Sequence, residues 1–162
     1  MQKLPAFLTL SLLMASIPAS SQTLPEGVER IQIPVGDMVF DALAAGPEDG
    51  ELVLLLHGFP QSSYSYRTQL PVLAAQGFRA VAPDQRGYSA GARPTEVSAY
   101  AMGNLVGDVL GMATALGAER FHLVGHDWGG AVAWVVGSAV PGRVRSLVVL
   151  STPHVSAFGR AL

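Results

Sequence analysis

A strand, a glycine-bracketed turn and a helix follow one another without a linker between residues 121 and 140, and this feature constrains the fold most. Residues 121–124 are rich in β-forming side chains, and residues 131–140 form an apolar helical segment. The turn between them reads Gly-His-Asp-Trp-Gly-Gly at residues 125–130. Glycines stand where a Cβ would clash in such a turn, which holds its central side chain at the carboxyl end of a sheet strand. The central residue here is Asp127.

From residue 25 onward, β-prone and helix-prone segments alternate. A turn signal at residues 34–37 separates the first two strands and predicts a hairpin. The later strands are continuous apolar runs, which are typical of strands buried on both faces of a parallel sheet. This alternation predicts an α/β fold with a doubly wound, mostly parallel sheet. The predicted strands are residues 28–33, 38–45, 52–56, 78–82, 121–124 and 144–150, and the predicted helices are 62–76, with a second short helix opened by Pro71, 98–116, ended by Gly117, and 131–140.

Three loops of unusual composition follow the strands that end near residues 56, 82 and 124. In a sheet of this type, ligands bind beyond the carboxyl ends of the strands. The convergence of the three loops therefore predicts an active site at this edge. Within the second loop, Asp84 and Arg86 are expected to pair with each other. Tyr64, Tyr66 and Tyr88 lie near the loops, where each either reaches a cavity or serves packing or the surface.

Composition excludes several classes of protein. The chain has 162 residues and a net charge of -2, and its ten Lys and Arg residues are scattered, so we expect one domain and no nucleic-acid partner. The absence of cysteine excludes disulfide scaffolds, zinc fingers and thiol nucleophiles. The four histidines lack the paired spacing of a metal site. Neither a metal nor a cofactor is expected.

Residues 1–21 have the organisation of an export signal. Lys3 gives a positive start, residues 4–17 are nearly uncharged and apolar, and the small residues at 19–21 suit a signal peptidase. A membrane anchor is the alternative, but the apolar run is shorter than the ~20 residues that span a bilayer. We therefore expect a mature chain from residue 22 in a secreted or periplasmic compartment, without membrane association once the signal is removed.

Three motifs in order carry a resemblance to a known family. They read His-Gly-Phe-Pro at residues 57–60, Asp-Gln-Arg-Gly-Tyr-Ser at 84–89 and Gly-His-Asp-Trp-Gly-Gly at 125–130, and each follows a predicted strand. From about residue 29 to residue 161 the chain resembles the first half of an α/β-hydrolase of the epoxide hydrolase branch, close to the haloalkane dehalogenases. The resemblance implies a hydrolase that acts on a small hydrophobic molecule.

A carboxylate at the central position of the turn directs the chemistry. It attacks a saturated carbon and forms an alkyl-enzyme ester that water then cleaves, whereas a serine would attack a carbonyl. The resemblance implies that Asp127 is this nucleophile and that the backbone N–H groups of Phe59 and Trp128 form the oxyanion hole. His57 and His126 are expected to shape the loops or line the substrate pocket rather than to transfer protons.

The resemblance also implies parts that are missing from these residues. The family completes its site with an acid and a histidine from later strands and with a helical cap, whereas residues 155–162 contain no acidic residue and His154 is too early in the order to match that histidine. We therefore expect residues 22–162 to be the N-terminal part of a core domain, truncated after the sixth strand, which becomes an exposed apolar edge. Two alternatives stay open: a haloalkane or haloacid dehalogenase, which shares attack by Asp127, and a catalytically inactive truncated binding module.

Overall fold

The computed structural model describes residues 23–161. The export signal predicted over residues 1–21 lies outside this range and stays a prediction. The strands are β1 (Val28–Val35), β2 (Met38–Ala45), β3 (Leu52–Leu56), β4 (Arg79–Pro83), β5 (Phe121–His126) and β6 (Val144–Leu150). The helices are α1 (Gln69–Ala74), α2 (Met102–Ala115), α3 (Trp128–Ala139) and α4 (Val155–Ala161), with short 3-10 turns at Ser63–Tyr66, Val97–Tyr100 and Pro141–Arg143. None of these helices is long and apolar enough to cross a membrane.

The six strands form one sheet in the order β1-β2-β4-β3-β5-β6. The predicted hairpin is confirmed, since β1 pairs antiparallel with β2, and β2 also runs antiparallel to β4. The pairs β3·β4, β3·β5 and β5·β6 are all parallel. The carboxyl ends of β3, β4, β5 and β6 therefore meet at one edge of the sheet. The predicted α/β fold with a mostly parallel sheet is confirmed.

Strand β3 shows why the central strands are continuously apolar. Its residues Leu52, Leu54 and Leu56 belong to a buried cluster that includes side chains of α2 and α3. The alternate residues Val53 and Leu55 belong to a second cluster, on the side of α1 and the first 3-10 turn. Successive side chains of a strand point to opposite faces. Because both faces are covered, the strand has no polar side.

The last strand, β6, is the outermost strand of the sheet in the part of the chain that the structure describes. Val148 and Leu150 on this strand are each 47% exposed. The predicted exposed apolar edge is therefore present. An edge of this kind offers unpaired backbone groups to any chain that can continue the sheet.

The boundaries of the helices depart from the sequence-based expectation in an informative way. The predicted helix over residues 62–76 is instead a 3-10 turn followed by α1, and Pro71 is the third residue of α1 rather than its first. Proline is tolerated there because N–H groups of the first helical turn have no intrahelical partner. Helix α2 begins at Met102, four residues later than predicted, and ends as expected before Gly117, which has a positive φ of 75°.

The loop after β4 is held by an ion pair that the sequence did not indicate. The expected pair of Asp84 with Arg86 is wrong. The Asp84 carboxylate accepts the N–H of Ser63 at 2.6 Å. The Arg86 guanidinium donates from Nε and Nη2 to both carboxylate oxygens of Asp108, at 2.7 and 2.6 Å. Asp108 comes from α2, so the loop is fastened to a distant helix, and both side chains are only 9% exposed.

This buried pair leads to a prediction about stability. In Asp108→Asn the Arg86 charge stays buried without its counter-ion, and we expect the free energy of unfolding to fall by about 3 kcal/mol in urea denaturation. The matched control is Glu51→Gln, which removes an equally sized charge from the exposed pair of Glu51 with Arg145. The control should lose distinctly less because water screens exposed pairs. Equal losses of unfolding free energy in the two variants would show that burial does not increase the cost of removing the counter-ion of Arg86.

Candidate active site

The corner between β5 and α3 places one carboxylate at the converging edge of the sheet. Asp127 is the only residue between the strand, which ends at His126, and the helix, which begins at Trp128. Its φ of 53° and ψ of -119° lie outside the common regions for residues with a Cβ. A non-glycine residue in such a conformation carries strain that the surroundings must offset.

Three hydrogen bonds hold the backbone of this corner. The Asp127 N–H donates to the Leu150 carbonyl of β6 at 3.2 Å, and the Asp127 carbonyl accepts the Ala131 N–H at 3.0 Å. The same carbonyl accepts the hydroxyl of Thr152 at 2.8 Å. Thr152 follows β6, so the neighbouring strand and its loop fix the position of the corner. No feature of the sequence marks Thr152 as part of the site.

Glycines allow the corner to touch the loop that follows β3. A Cβ on Gly129 would lie 2.3 Å from the Leu56 carbonyl oxygen, and one on Gly125 would lie 2.4 Å from the Gly129 oxygen. Such distances are far shorter than any non-bonded contact of a real side chain. The bracketing glycines were expected for this steric reason, and the structure confirms it. The Gly129 N–H also donates to the His57 carbonyl at 3.1 Å.

The Asp127 carboxylate accepts a backbone hydrogen bond from the facing loop. The Phe59 N–H donates to Oδ1 of Asp127 at 2.9 Å. This bond is the main reason why the pKa of Asp127 lies below its ordinary value, and the N–H of Trp128 lowers that pKa further. Among residues 23–161, the Phe59 N–H alone reaches hydrogen-bonding geometry with the carboxylate. Asp127 is therefore ionised throughout the neutral pH range.

His57 lies beneath the loop and joins it to the loop after β4. The ring is 1% exposed. Nδ1 lies 2.9 Å from the Gly58 carbonyl, which can only accept, so Nδ1 carries the proton. Nε2 then accepts the Gln85 N–H at 3.1 Å. Burial lowers the pKa of His57, and the neutral ring is the form that can make both bonds.

His126 is the other histidine predicted near the site, and it directly precedes Asp127 in the sequence. Its Nδ1 lies 3.0 Å from the side-chain oxygen of Gln61, so Nδ1 donates to that oxygen. Gln61 directly follows the His-Gly-Phe-Pro motif. This contact is a third hydrogen bond between the β5 corner and the β3 loop, after those of Phe59 with Asp127 and of Gly129 with His57.

A cleft of about 330 Å³ lies between the loop after β3, the loop after β4 and the first turns of α3. Its walls are mainly aromatic and aliphatic, and they include His57, Phe59, Tyr88, Tyr100, Leu105 and Trp128. The side chains of Phe59 and Trp128 are 70% and 62% exposed, so the two residues whose N–H groups face Asp127 also present apolar rings to the solvent. No feature of the sequence places Tyr100 or Leu105 at the site, because the helical spacing of Leu105 indicates only an amphipathic helix.

Potential metal ligands are not clustered in the part of the chain that the structure describes. Within residues 23–161, no three His, Cys, Asp or Glu side chains are grouped so that they could hold a metal ion. The polar groups at the site are one carboxylate, backbone N–H groups, side chains that hydrogen-bond within the protein, the Tyr88 hydroxyl and the Trp128 indole N–H.

Comparison with known proteins identifies the family. The profile of a family described as alpha/beta hydrolase fold matches residues 51–161, which is more than half of the chain. The chain belongs to the alpha/beta hydrolase family. This match includes all three motifs that carry the predicted resemblance.

Individual members of the family extend the comparison. The chain is 48% identical over 114 residues to epoxide hydrolase B of Mycobacterium tuberculosis, which covers 69% of this chain and 32% of that protein. It is 38% identical over 129 residues to the AB hydrolase superfamily protein YfhM of Bacillus subtilis, covering 80% of this chain and 45% of that protein. The crystal structure of epoxide hydrolase VrEH1 from Vigna radiata matches with a TM-score of 0.74 and 38% identity, covering 79% of this chain and 41% of that one.

These matches confirm the epoxide hydrolase-like resemblance. The chain spans between a third and a half of the length of the relatives it matches.

The close approach at Gly58 gives a prediction about the carboxylate of this alpha/beta hydrolase chain. In Gly58→Ala the new Cβ would lie 2.4 Å from the Asp127 Cβ and 2.6 Å from Oδ1. The loop must move away, so the Phe59 bond weakens and the pKa of Asp127 rises toward its ordinary value in a carboxyl-carbon NMR titration. We also expect a loss of about 1–3 kcal/mol in the free energy of unfolding, as in other overpacked sites.

The control for this variant is Gly142→Ala, because no atom lies within 4 Å of a Cβ at Gly142. The pKa of Asp127 should be unchanged in the control. An unchanged pKa of Asp127 in Gly58→Ala would show that the close contact does not hold the Phe59 donor in place.

The buried His57 ring predicts a pH dependence of stability. In the unfolded chain the ring takes up a proton near pH 6.5, whereas burial lowers its pKa in the folded chain. The stability that this ring contributes is therefore complete above pH 6.5 and is lost as the pH falls toward the folded-state pKa. In His57→Gln this contribution is absent, so the free energy of unfolding should fall less steeply between about pH 7 and about pH 5 than in the wild type. Parallel curves in urea denaturation would contradict this assignment.

Proposed function

We propose that this chain supplies the nucleophile and the oxyanion hole of an epoxide hydrolase. The observation that carries the proposal is the Asp127 carboxylate, ionised at a strained strand-to-helix corner and held at 2.9 Å by the Phe59 N–H beside an apolar cleft. An ionised carboxylate next to such a cleft is a competent nucleophile toward a saturated carbon. The names of the relatives point the same way, since several of them are called epoxide hydrolases.

The first proposed step forms an ester. One carboxylate oxygen of Asp127 attacks a ring carbon of the epoxide, the carbon–oxygen bond of the ring breaks, and its electron pair goes to the ring oxygen, which takes up a proton. The product of this step is a hydroxyalkyl ester of Asp127. The corner and the facing loop hold the carboxylate in place, so little reorganisation is needed before attack.

The second proposed step cleaves the ester. Water gives up a proton to a base, adds to the carboxyl carbon of Asp127 and places a negative charge on the carboxyl oxygen. This intermediate then collapses: the bond from the carboxyl carbon to the ester oxygen breaks, the diol leaves with a proton, and the Asp127 carboxylate is restored. The Phe59 N–H already donates to Oδ1, and the Trp128 N–H lies at the beginning of α3, where the helix dipole favours negative charge. Two such donors stabilise the developing oxyanion. In comparable hydrolases, each donor lowers the barrier of the reaction by on the order of 3 kcal/mol.

The second step needs a base to activate the water, and the four histidines of the chain are engaged elsewhere. Both ring nitrogens of His57 are hydrogen-bonded, and His126 donates to Gln61. His122 lies at the start of β5, far from the corner, and bonds to Ser146 and Glu51. His154 packs edge-on against Trp134. In the 162-residue chain, ester formation should therefore outpace ester cleavage.

Attack on a haloalkane is the second candidate reaction. It would use the same carboxylate, and the exposed Trp128 side chain in the cleft offers an indole N–H that could bind a departing halide. Halide release measured with an ion-selective electrode would separate this reaction from epoxide opening. A binding module without catalysis would form no covalent product with either compound.

The proposal predicts a trapped intermediate. After exposure of the chain to styrene oxide, intact-mass spectrometry should show an adduct equal in mass to one epoxide, and peptide mapping should place it on Asp127. Asp127→Asn should abolish the adduct, because the amide is a poor nucleophile, while asparagine still tolerates a positive φ and still accepts from the Phe59 N–H.

The matched control is Asp37→Asn, which changes an exposed carboxylate in the turn between β1 and β2. The adduct should persist unchanged in this control. An adduct that survives in Asp127→Asn would refute the nucleophile, and steady multiple turnover by the 162-residue chain would refute the absence of a base.

A further inference from the structure

One peptide group at the corner joins a fastened carbonyl to one of the two proposed oxyanion-hole donors. Its carbonyl belongs to Asp127, and its N–H belongs to Trp128, the first residue of α3. N–H groups of the first helical turn have no intrahelical partner, and this one lowers the pKa of Asp127. A peptide group is planar and trans, so its carbonyl and its N–H point in opposite directions. Whatever holds the Asp127 carbonyl therefore also aims the Trp128 N–H.

Two hydrogen bonds from different elements hold the Asp127 carbonyl. The Ala131 N–H donates to it at 3.0 Å from within α3, and the Thr152 hydroxyl donates to it at 2.8 Å from the segment after β6. A carbonyl oxygen has two lone pairs, so both acceptor positions are used. A single bond would let the peptide plane turn about the line of that bond, and the second bond restricts this rotation.

The single hydroxyl proton of Thr152 is directed to the Asp127 carbonyl. A second carbonyl near this hydroxyl belongs to Leu150, but it lies 3.5 Å away, at the limit of a hydrogen bond. The Leu150 carbonyl already accepts the Asp127 N–H at 3.2 Å. The contact of 2.8 Å with the Asp127 carbonyl has the usual length of a bond between a hydroxyl and an oxygen acceptor, so it takes the proton.

Thr152 is itself held against the first turns of α3. The Trp134 indole N–H donates to the Thr152 carbonyl at 3.0 Å. A Cβ on Gly130 would lie 2.8 Å from Oγ1 of Thr152 and 3.0 Å from its Cβ, so the glycine allows the threonine to approach the helix. The hydroxyl therefore has a fixed position relative to the helix whose first N–H it influences.

We propose that Thr152 is a positioning residue of ester cleavage, which aims and strengthens the Trp128 N–H through the peptide group that both contact. This inference rests on the function proposed above. A hydrogen bond donated to a carbonyl draws electron density from the amide nitrogen, so the N–H of the same peptide group becomes a stronger donor. Thr152 therefore acts through the backbone of the corner and not on the reacting atoms themselves.

The effect of Thr152 belongs to ester cleavage and not to ester formation. During formation the Asp127 carboxylate loses its negative charge, so a stronger N–H donor gives that step no advantage. During cleavage a negative charge develops on the carboxyl oxygen, and the donors then stabilise it. Loss of one whole donor slows comparable hydrolases by about 100-fold or more, so a donor that is only weakened and misdirected should cost on the order of 10-fold.

The test measures ester formation and ester cleavage separately in Thr152→Val, which keeps the shape of the side chain and removes the hydroxyl. Styrene oxide forms the Asp127 ester, the excess is removed, and hydroxylamine is added. The nitrogen of hydroxylamine adds to the carboxyl carbon without a protein base, and the oxyanion collapses. The diol leaves with a proton from that nitrogen, and Asp127 keeps a hydroxamate. Intact-mass spectrometry over time follows both steps.

Thr152→Val should slow the hydroxylamine cleavage on the order of 10-fold and change ester formation by less than about twofold. Thr152→Ser retains a hydroxyl and should keep both rates within about twofold of the wild type. The matched control is Thr114→Val, because the Thr114 hydroxyl donates to the Leu110 carbonyl at 2.9 Å within α2. Neither rate should change in this control.

The Trp128 amide gives a second measurement that needs no reagent. In the amide NMR spectrum of the chain, the backbone proton resonance of Trp128 should move upfield in Thr152→Val, because its peptide group is less polarised. The resonance should keep its position in Thr152→Ser and in Thr114→Val.

Equal slowing of formation and cleavage in Thr152→Val would show a purely structural role and overturn the inference. Unchanged cleavage in that variant, or an unmoved Trp128 resonance, would also overturn it while leaving the nucleophile intact. The absence of any Asp127 adduct in the wild type would overturn the proposed function itself, and the Trp128 resonance would still decide whether Thr152 acts on that N–H.

Discussion

The contact between the corner after β5 and the loop after β3 is the constraint on which the site depends. At this contact the Phe59 N–H reaches the Asp127 carboxylate at 2.9 Å, and the backbone of Gly129 lies against the carbonyls of Leu56 and His57. Side chains are excluded from the contact, since a Cβ at Gly58 or Gly129 would overlap atoms across it. The carboxylate, its donor and the helix N-terminus are thereby fixed relative to one another by backbone atoms.

The same contact accounts for the strain at Asp127. A residue with a Cβ adopts a positive φ at a cost on the order of 1–3 kcal/mol, which persists only where the surroundings over-determine it. Here the backbone of Asp127 is bonded to β6, to α3 and to Thr152, and its side chain is bonded to Phe59. These bonds hold the strained conformation, in which the carboxylate accepts the Phe59 N–H.

A buried polar layer supports the loops from below. The neutral His57 ring links the first and second loops through its two nitrogens, and the Arg86–Asp108 pair links the second loop to α2. Tyr88 follows Arg86 by two residues, and its ring packs edge-on against the His57 ring. In an apolar surrounding, an unpaired member of such a layer would be costly, which explains why each group has a partner.

The sequence by itself determined the order of strands and helices, the parallel central sheet and the position of Asp127 at a strand-to-helix corner. These follow from local periodicity and from glycine sterics, which act over a few neighbouring residues. Only the tertiary structure decided that Arg86 pairs with Asp108 rather than Asp84, that Thr152 fixes the corner, and that His126 bonds to Gln61. Those partners are far apart in the chain, and a hydrogen bond depends on distances and directions that residue types do not encode.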